Sequence, residues 1–216
     1  MAIANDIELR VRDLLNDTAG VRWVDAELLR WISDAEKEIV QLRPDANPST
    51  ITFTPATGQS RQALTTTGVH RLIDVPRNTH TNRAVRLISQ RTLDSTDVDW
   101  HAASANSAGN VDYFVYDERN PKVFYIYPNA SSTTRLEVIQ SIVPSAITAM
   151  TGSLNIGDQF IPAITDYVCY RALSKDAEYA GGPQATAFQQ SFYQSLGVQQ
   201  SVNGAASPNV IENGQT

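Results

Sequence analysis

The sequence holds one cysteine, Cys169, so no intrachain disulfide can form and a reducing compartment is enough for folding. Cys169 falls inside an apolar helical stretch, where a buried, inert thiol is the ordinary role. No apolar run approaches the roughly 18 residues of a membrane span. The opening Met1, Ala2, Ile3 lacks the basic and apolar regions of a signal peptide. Residence in the cytoplasm is the expectation, unless the protein leaves inside something larger. Lys and Arg never cluster beyond scattered pairs, and the net charge is −6 with a pI of about 5.0. The counterion-release footprint of a DNA-binding surface is therefore missing, while an acidic surface suits DNA that must slide past without sticking.

Catalytic templates are also missing. There is no Gly-rich phosphate loop, dinucleotide fingerprint, His-Glu-x-x-His zinc motif, nucleophile elbow or paired-Cys motif, so the expectation is a protein that is not an enzyme and carries no cofactor. The three histidines, His70, His80 and His101, lie far apart, and none stands at metal-ligand spacing from a second His or a Cys. Asp94, Asp97 and Asp99 form the densest carboxylate cluster, just before Trp100 and His101. No Gly and late Glu complete a calcium loop there, so a solvated or capping role is expected. An enzyme acting on cell-wall glycan through Asp97 or Asp99 is the weakest reading.

What is present is a foldable chain of 216 residues, 42% apolar and 19% charged, long enough to bury a core. Ile7, Val11, Leu14 and Leu15 recur at helical spacing, with Asn5 and Glu8 placed as a capping box, which predicts a helix from about Asp6 to Asn16 and a turn closed by Gly20. Leu28, Trp31, Ile32, Ala35, Ile39 and Leu42 make a stronger stripe that Pro44 ends. These two helices are expected to pair as an antiparallel hairpin.

After Pro44, short runs of Thr, Val, Ile and Tyr alternate with Gly, Pro and Asn, a β texture. Candidate strands cover Thr50 to Thr54, Arg61 to Thr65, Arg71 to Val75, Ala84 to Ser89, Val111 to Tyr116, Val123 to Tyr127 and Arg135 to Val143. The clearest hairpin joins Val111–Tyr116 to Val123–Tyr127 through a turn-rich connection. The segment from Thr92 to Asn110 reads as an exposed loop, with a helical turn near Asp94 to Trp100.

Helical pattern returns at Ile161. Pro162 suits the first turn, and Ile164, Val168 and Ala172 share a face with Tyr167 and Tyr170 alongside. This helix is expected to reach about Tyr179. Its last turn places Asp176 and Glu178 where the helix dipole disfavours acids. Local pairing with Arg171 or Lys175 is one compensation, and an ion pair to another helix or subunit is the other. Gly181 and Gly182 break the pattern, and Pro183 opens a further helix with Ala185, Phe188, Phe192 and Leu196 in its stripe and Gly197 as C-cap. The polar remainder, Val198 to Thr216, is a free tail or an arm that orders on a partner.

The fold class expected is α+β: a helical bundle from the N- and C-terminal helices, carrying an inserted antiparallel β-rich, sandwich-like lobe and an extended C-terminal tail. Residues 1–46 form the first hairpin, 47–155 the insert, 156–197 the closing helices and 198–216 the arm.

Several phrases, in this order, resemble the adaptor, or head-to-tail connector, proteins of tailed bacteriophages, especially short-tailed ones. They are DAELLRWISDAEKEI from Asp25 to Ile39 with LRPDA from Leu42, RLIDV from Arg71 with Asn78, RAVRLI from Arg83, YDERNPKVFYIYP from Tyr116, and DYVCYRALSKDAEY from Asp166. One departure is Val24, where a Ser or Thr N-cap is expected in such proteins, a loss of about 1 kcal/mol of capping. The resemblance implies a structural virion protein of the neck region that resides in the host cytoplasm before assembly. It further implies a ring of about twelve copies between the portal protein and the tail nozzle protein, through which DNA passes without sequence-specific binding, and no membrane. It also implies that the C-terminal arm reaches along the portal, with Val198, Pro208, Val210 and Ile211 as contact residues. A carbohydrate- or receptor-binding tail module is the alternative, motivated by the aromatic hairpin and Trp100 beside polar loops.

Overall fold

The computed structural model describes residues 2–102, 109–175 and 182–206. The chain divides into two compact units, one built from Met1–Arg43 and Pro144–Thr216, the other from Pro44–Val143. Among the described residues, five helices and two sheets give a mixed α+β architecture.

In the first unit, α1 spans Ala4–Leu14 and α2 spans Asp25–Leu42. The cap of α1 differs from the expected Asn5–Glu8 box. The Asp6 carboxylate accepts from the Ile3 amide at 3.0 Å, which starts the helix two residues earlier, and Glu8 turns instead to Arg12. α2 begins at Asp25 although Val24 provides no side-chain cap. Acids in its first turn, Asp25 and Glu27, favour the positive end of the helix dipole in its place. The predicted stripe is buried at Leu28, Ile32, Ala35 and Ile39, whereas Leu42 at its end is exposed.

A 3₁₀ turn over Asp158–Phe160 leads into α4, Ile161–Lys175, which packs against α1, α2 and the last helix. Ile164, Val168 and Ala172 are fully buried, as the helical spacing requires, and Cys169 is buried among them. Its thiol is pushed up to about 12, first by burial and then by the nearby Asp166 charge, so it stays protonated and inert. The last helix, α5, spans Gly182–Ala206 and does not stop at Gly197. Gly197 has no positive φ, so it supplies no left-handed C-cap, and the extended tail cannot begin at Val198. The Arg43 guanidinium donates to the Leu196 carbonyl at 3.2 Å, tying the end of α2 to this stretch of α5.

The buried Glu36 on α2 organises the connection that precedes α4. Its two carboxylate oxygens accept from the amide and the side-chain nitrogen of Asn155, each at 2.6 Å. Burial raises the Glu36 carboxyl above its usual range, against the pull of these bonds. Ser33 receives the Ile147 amide at 3.0 Å, one helical turn before Glu36.

Among the described residues of the second unit there are seven strands: β1 Pro48–Phe53, β2 Arg61–Ala63, β3 Val69–Asn78, β4 Arg86–Leu87, β5 Tyr113–Tyr116, β6 Val123–Tyr127 and β7 Leu136–Ile142. They form a three-stranded sheet in the order β1-β7-β3 and a four-stranded sheet in the order β2-β6-β5-β4. The expected aromatic hairpin forms, with Tyr113 opposite Tyr127 and Tyr116 opposite Phe124. The expectation of a wholly antiparallel lobe is corrected at one edge, where β4 pairs with β5 in parallel. That strand is also only two residues long, because the Arg83–Ile88 phrase spends its first residues on a bond network around Asn78. The Asn78 side chain donates to the carbonyls of Arg83 and Val111 and accepts from the Val111 amide at 2.9 Å.

Alternation places Leu136 and Val138 of β7 and Phe124 and Ile126 of β6 in one buried cluster with Phe114 of β5, and a register shift after Leu72 in β3 lets Val75 join Leu72 there although they stand three residues apart, so the two sheets share a core. A short helix, α3, spans Gln90–Thr96 and is capped by Ser89, which accepts from the Thr92 amide at 3.3 Å. It lies earlier than the expected turn, because the Ser89 cap sets its start.

Candidate functional site

The connection between α1 and α2 is built on two buried charges. Arg12, only 7% exposed, reaches Glu8 and Asp25 at 2.6 Å each and donates to the carbonyls of Trp23 and Asp17 at 3.2 and 3.4 Å. Burial works to lower the Arg12 pKa, but the bonds and charges of Glu8 and Asp25 outweigh it and raise it. Asp17 accepts from the amides of Val21, Arg22 and Trp23 at 3.0 to 3.2 Å. Burial pushes the Asp17 carboxyl up, but those amides and the Arg12 charge together hold it below its usual value. Gly20 sits at φ 65, and a Cβ there would stand 2.9 Å from the Arg12 guanidinium, so both conformation and space require glycine. The loop is thereby fixed with Val21 83% exposed at its tip. Sequence reading caught the turn at Gly20 but not this network, since a buried arginine carries no periodic signal.

Beside the C-terminal end of α1 runs a groove of about 420 Å³, lined by Leu14, Leu15, Asp166, Leu173, Gln184, Ala187, Phe188 and Ser191. The Ser191 hydroxyl donates to Asp166 at 2.6 Å. Burial raises the Asp166 carboxyl, and the Ser191 bond opposes it. Leu14 remains 54% exposed at the rim. A second depression of about 390 Å³ shares Leu14 and Asp166 and adds Arg10, Asp13, Pro162 and Thr165. Apolar walls with a carboxylate between them suit an apolar, cationic visitor.

The residues singled out from the sequence fall in different places. Lys175 at the end of α4 pairs with Glu27 of α2 at 2.7 Å, a contact between helices in which the lysine is half exposed, worth under about 1 kcal/mol. Arg171 is exposed on α4 and acts electrostatically on Tyr167. Asp176 and Glu178 lie outside the described residues, as do Pro208, Val210 and Ile211. Val198 falls within α5.

In the β unit the acidic cluster serves its neighbours. Asp94 accepts the Trp100 indole N–H at 2.8 Å, and Asp97 accepts the Asp99 amide at 3.1 Å and the Tyr127 hydroxyl at 3.3 Å. Trp100 is 1% exposed, stacked on His101 at 3.6 Å and edge-on to Tyr125. It offers no open platform for a sugar, which removes one of the two features behind the receptor reading. His101 bonds Ser60 at 2.7 Å through Nδ1. No group of three or more His, Cys, Asp or Glu among the described residues is arranged to hold a metal, and no helix among them is long and apolar enough to cross a membrane.

Charge divides sharply between the units. Residues 44–143 contain nine Lys/Arg and nine Asp/Glu, leaving eight against fourteen in the helical unit, which carries the whole −6.

A search of curated proteins finds no match to the chain. A family model described as SU10 adaptor protein matches residues 4–212, a span that includes both units. The chain belongs to the SU10 adaptor protein family.

Proposed function

We propose that the protein is a head-to-tail adaptor that assembles as a ring of twelve copies between the portal protein and the tail nozzle protein, extending the DNA channel at the neck of the virion. Family membership makes it a structural phage adaptor that works with other head and tail proteins, and its family is not one of enzymes. The observation that carries the reading is the length of the match, which runs through both units rather than one shared motif. The charge distribution supports it: an acidic helical unit repels the phosphate backbone and lets DNA pass, and a neutral β unit is free to pack against other proteins. Before assembly the chain resides in the host cytoplasm, and its helices act as a bundle that carries the sandwich-like lobe.

The C-terminal arm is proposed to dock along the portal through Pro208, Val210 and Ile211. Val198, being within α5, belongs to the base from which the arm departs. Purified protein mixed with its portal is expected to give a defined ring complex by electron microscopy. A chain that stays monomeric and ignores the portal at high concentration refutes the reading. Truncation after Ala206, which spares α5, is expected to weaken docking with the helical signal unchanged, and undiminished docking refutes the arm.

A further inference from the structure

We infer that the outer edge of β1 docks a second copy of the chain, the two β1 strands pairing antiparallel about a two-fold axis at Ile51. The inference concerns the free chain and does not rest on the ring reading.

A sheet edge presents unpaired amides and carbonyls that template another strand, and folded chains blunt such edges with charge, proline, bulges or brevity. Three of the four edge strands are blunted in this way. β2 has three residues and opens with Arg61, and β4 has two and opens with Arg86. β3 carries three register shifts, Pro76 and the charged Arg71, Asp74 and Arg77. Part of its outer side is also taken, since the Asn78 amide donates to the Arg83 carbonyl and the Val85 amide to the Pro76 carbonyl. β1 is the exception. It runs six residues in unbroken register with β7, and no residue from Ala46 to Ser60 is charged.

The pairing with β7 decides which groups are left over. The Ile142 amide donates to the Asn47 carbonyl, so alternation turns the backbone of Ser49, Ile51 and Phe53 toward β7 and that of Thr50 and Thr52 outward. Ile51 and Phe53 pack against the core, while the threonine side chains are exposed. Among the described residues no strand pairs with that outer side.

A second copy fits this edge for two reasons. Thr50 and Thr52 flank Ile51, so a two-fold axis there sets each Thr50 opposite the other copy's Thr52, with reciprocal amide–carbonyl bonds and threonine–threonine contacts. The charge is also self-matched: an uncharged edge meets itself on a unit of nine cations and nine anions, whereas the helical unit carries −6 and repels its own kind. Because the same patch serves both copies, the contact is isologous and closes at two.

Light scattering of the full chain without its portal tests this, and the unaltered chain is expected to be a dimer. Thr52→Pro removes an outward amide and spares the bonds to β7, and Thr50→Lys charges the edge. Each is expected to raise the dimer dissociation constant at least tenfold with unchanged circular dichroism; if Thr52→Pro fails to fold, Thr50→Lys decides. Mild oxidation tests the register. An equal mixture of Thr50→Cys and Thr52→Cys chains is expected to give at least tenfold more disulfide dimer than either alone, the buried Cys169 staying silent. A chain that stays monomeric at millimolar concentration, a larger species that the folded variants form as readily, or a mixture no richer in dimer than its components overturns the inference.

Discussion

The helical unit holds the chain's entire net charge and fixes its loops with buried titratable side chains, whereas the β unit is electrically balanced and relies on a shared apolar core between two sheets. In the first unit Arg12, Asp17 and Glu36 sit where solvent barely reaches, each satisfied by several partners. In the second, the comparable positions are taken by Phe114, Phe124, Ile126, Leu136 and Val138. Buried charges specify geometry, because each bond has a direction; apolar contacts supply stability with far less directional demand. The contrast is between oriented bonds, which fix the loops of the helical unit, and packing, which holds the sheets of the β unit.

The sharpest way to break the comparison is Phe124→Ala, which empties the centre of the sheet core. It is expected to cost about 3 to 5 kcal/mol, and hydrogen exchange followed on heating, read at the β5–β6 amides and at the α2 amides, should show the β unit opening first. Equal loss of protection in both sets of amides would mean that the units are one cooperative body.

In the helical unit, Arg12→Ala is expected to cost about 3 kcal/mol, since it removes the buried charge beside Glu8 and Asp25 and the donors that hold the Asp17 and Trp23 carbonyls, freeing the loop. Chemical denaturation measures the loss, and hydrogen exchange at the Val21 to Trp23 amides should rise with it. Asp17→Asn refines the same point through pH. The folded Asp17 carboxyl titrates below its usual 3.8, so its contribution is present above that value and fades as pH falls through the lower, folded value. The variant is expected to be less stable than the unaltered chain at neutral pH by a constant gap, with the two converging below pH 3.8.

The β unit also has a weak point of the polar kind. Gln140 lies on the same face of β7 as Leu136 and Val138, fully buried, and its amide finds no hydrogen-bond partner among the described residues. Gln140→Met is expected to stabilise the unit by about 1 kcal/mol, read as a raised denaturation midpoint. The smallest expected effect is at Gly197, where a Cβ would meet open space and the helix continues. Gly197→Ala is expected to stabilise α5 by about 0.5 to 1 kcal/mol; destabilisation would restore the C-cap that the sequence suggested.

Local periodicity made much of this legible. The α2 stripe, the Ile164–Val168–Ala172 face and the aromatic hairpin each repeat a simple spacing and each forms, although the first hairpin strand starts at Tyr113 rather than Val111 and the expected reach of α4 to Tyr179 lies outside the described residues. The readings that missed depended on single residues whose role a distant partner sets. Glu8 looked like a cap and serves Arg12; Gly197 looked like a stop and lies inside a helix whose neighbouring carbonyl Arg43 holds; Trp100 looked like a platform and is capped by Asp94 and covered by His101.

Sequence alone determined the classes of element, their order and the acidic balance, because spacing and composition act through neighbours along the chain. It also carried the family resemblance, since ordered phrases survive without reference to contacts. Only the tertiary structure decided which charges are buried, that β4 runs parallel to β5, and that a rigid apolar tip and an acidic apolar groove coexist on one unit. Those facts depend on residues far apart in the chain meeting in a dry interior, where the energy of a charge or an exposed valine is set by what surrounds it.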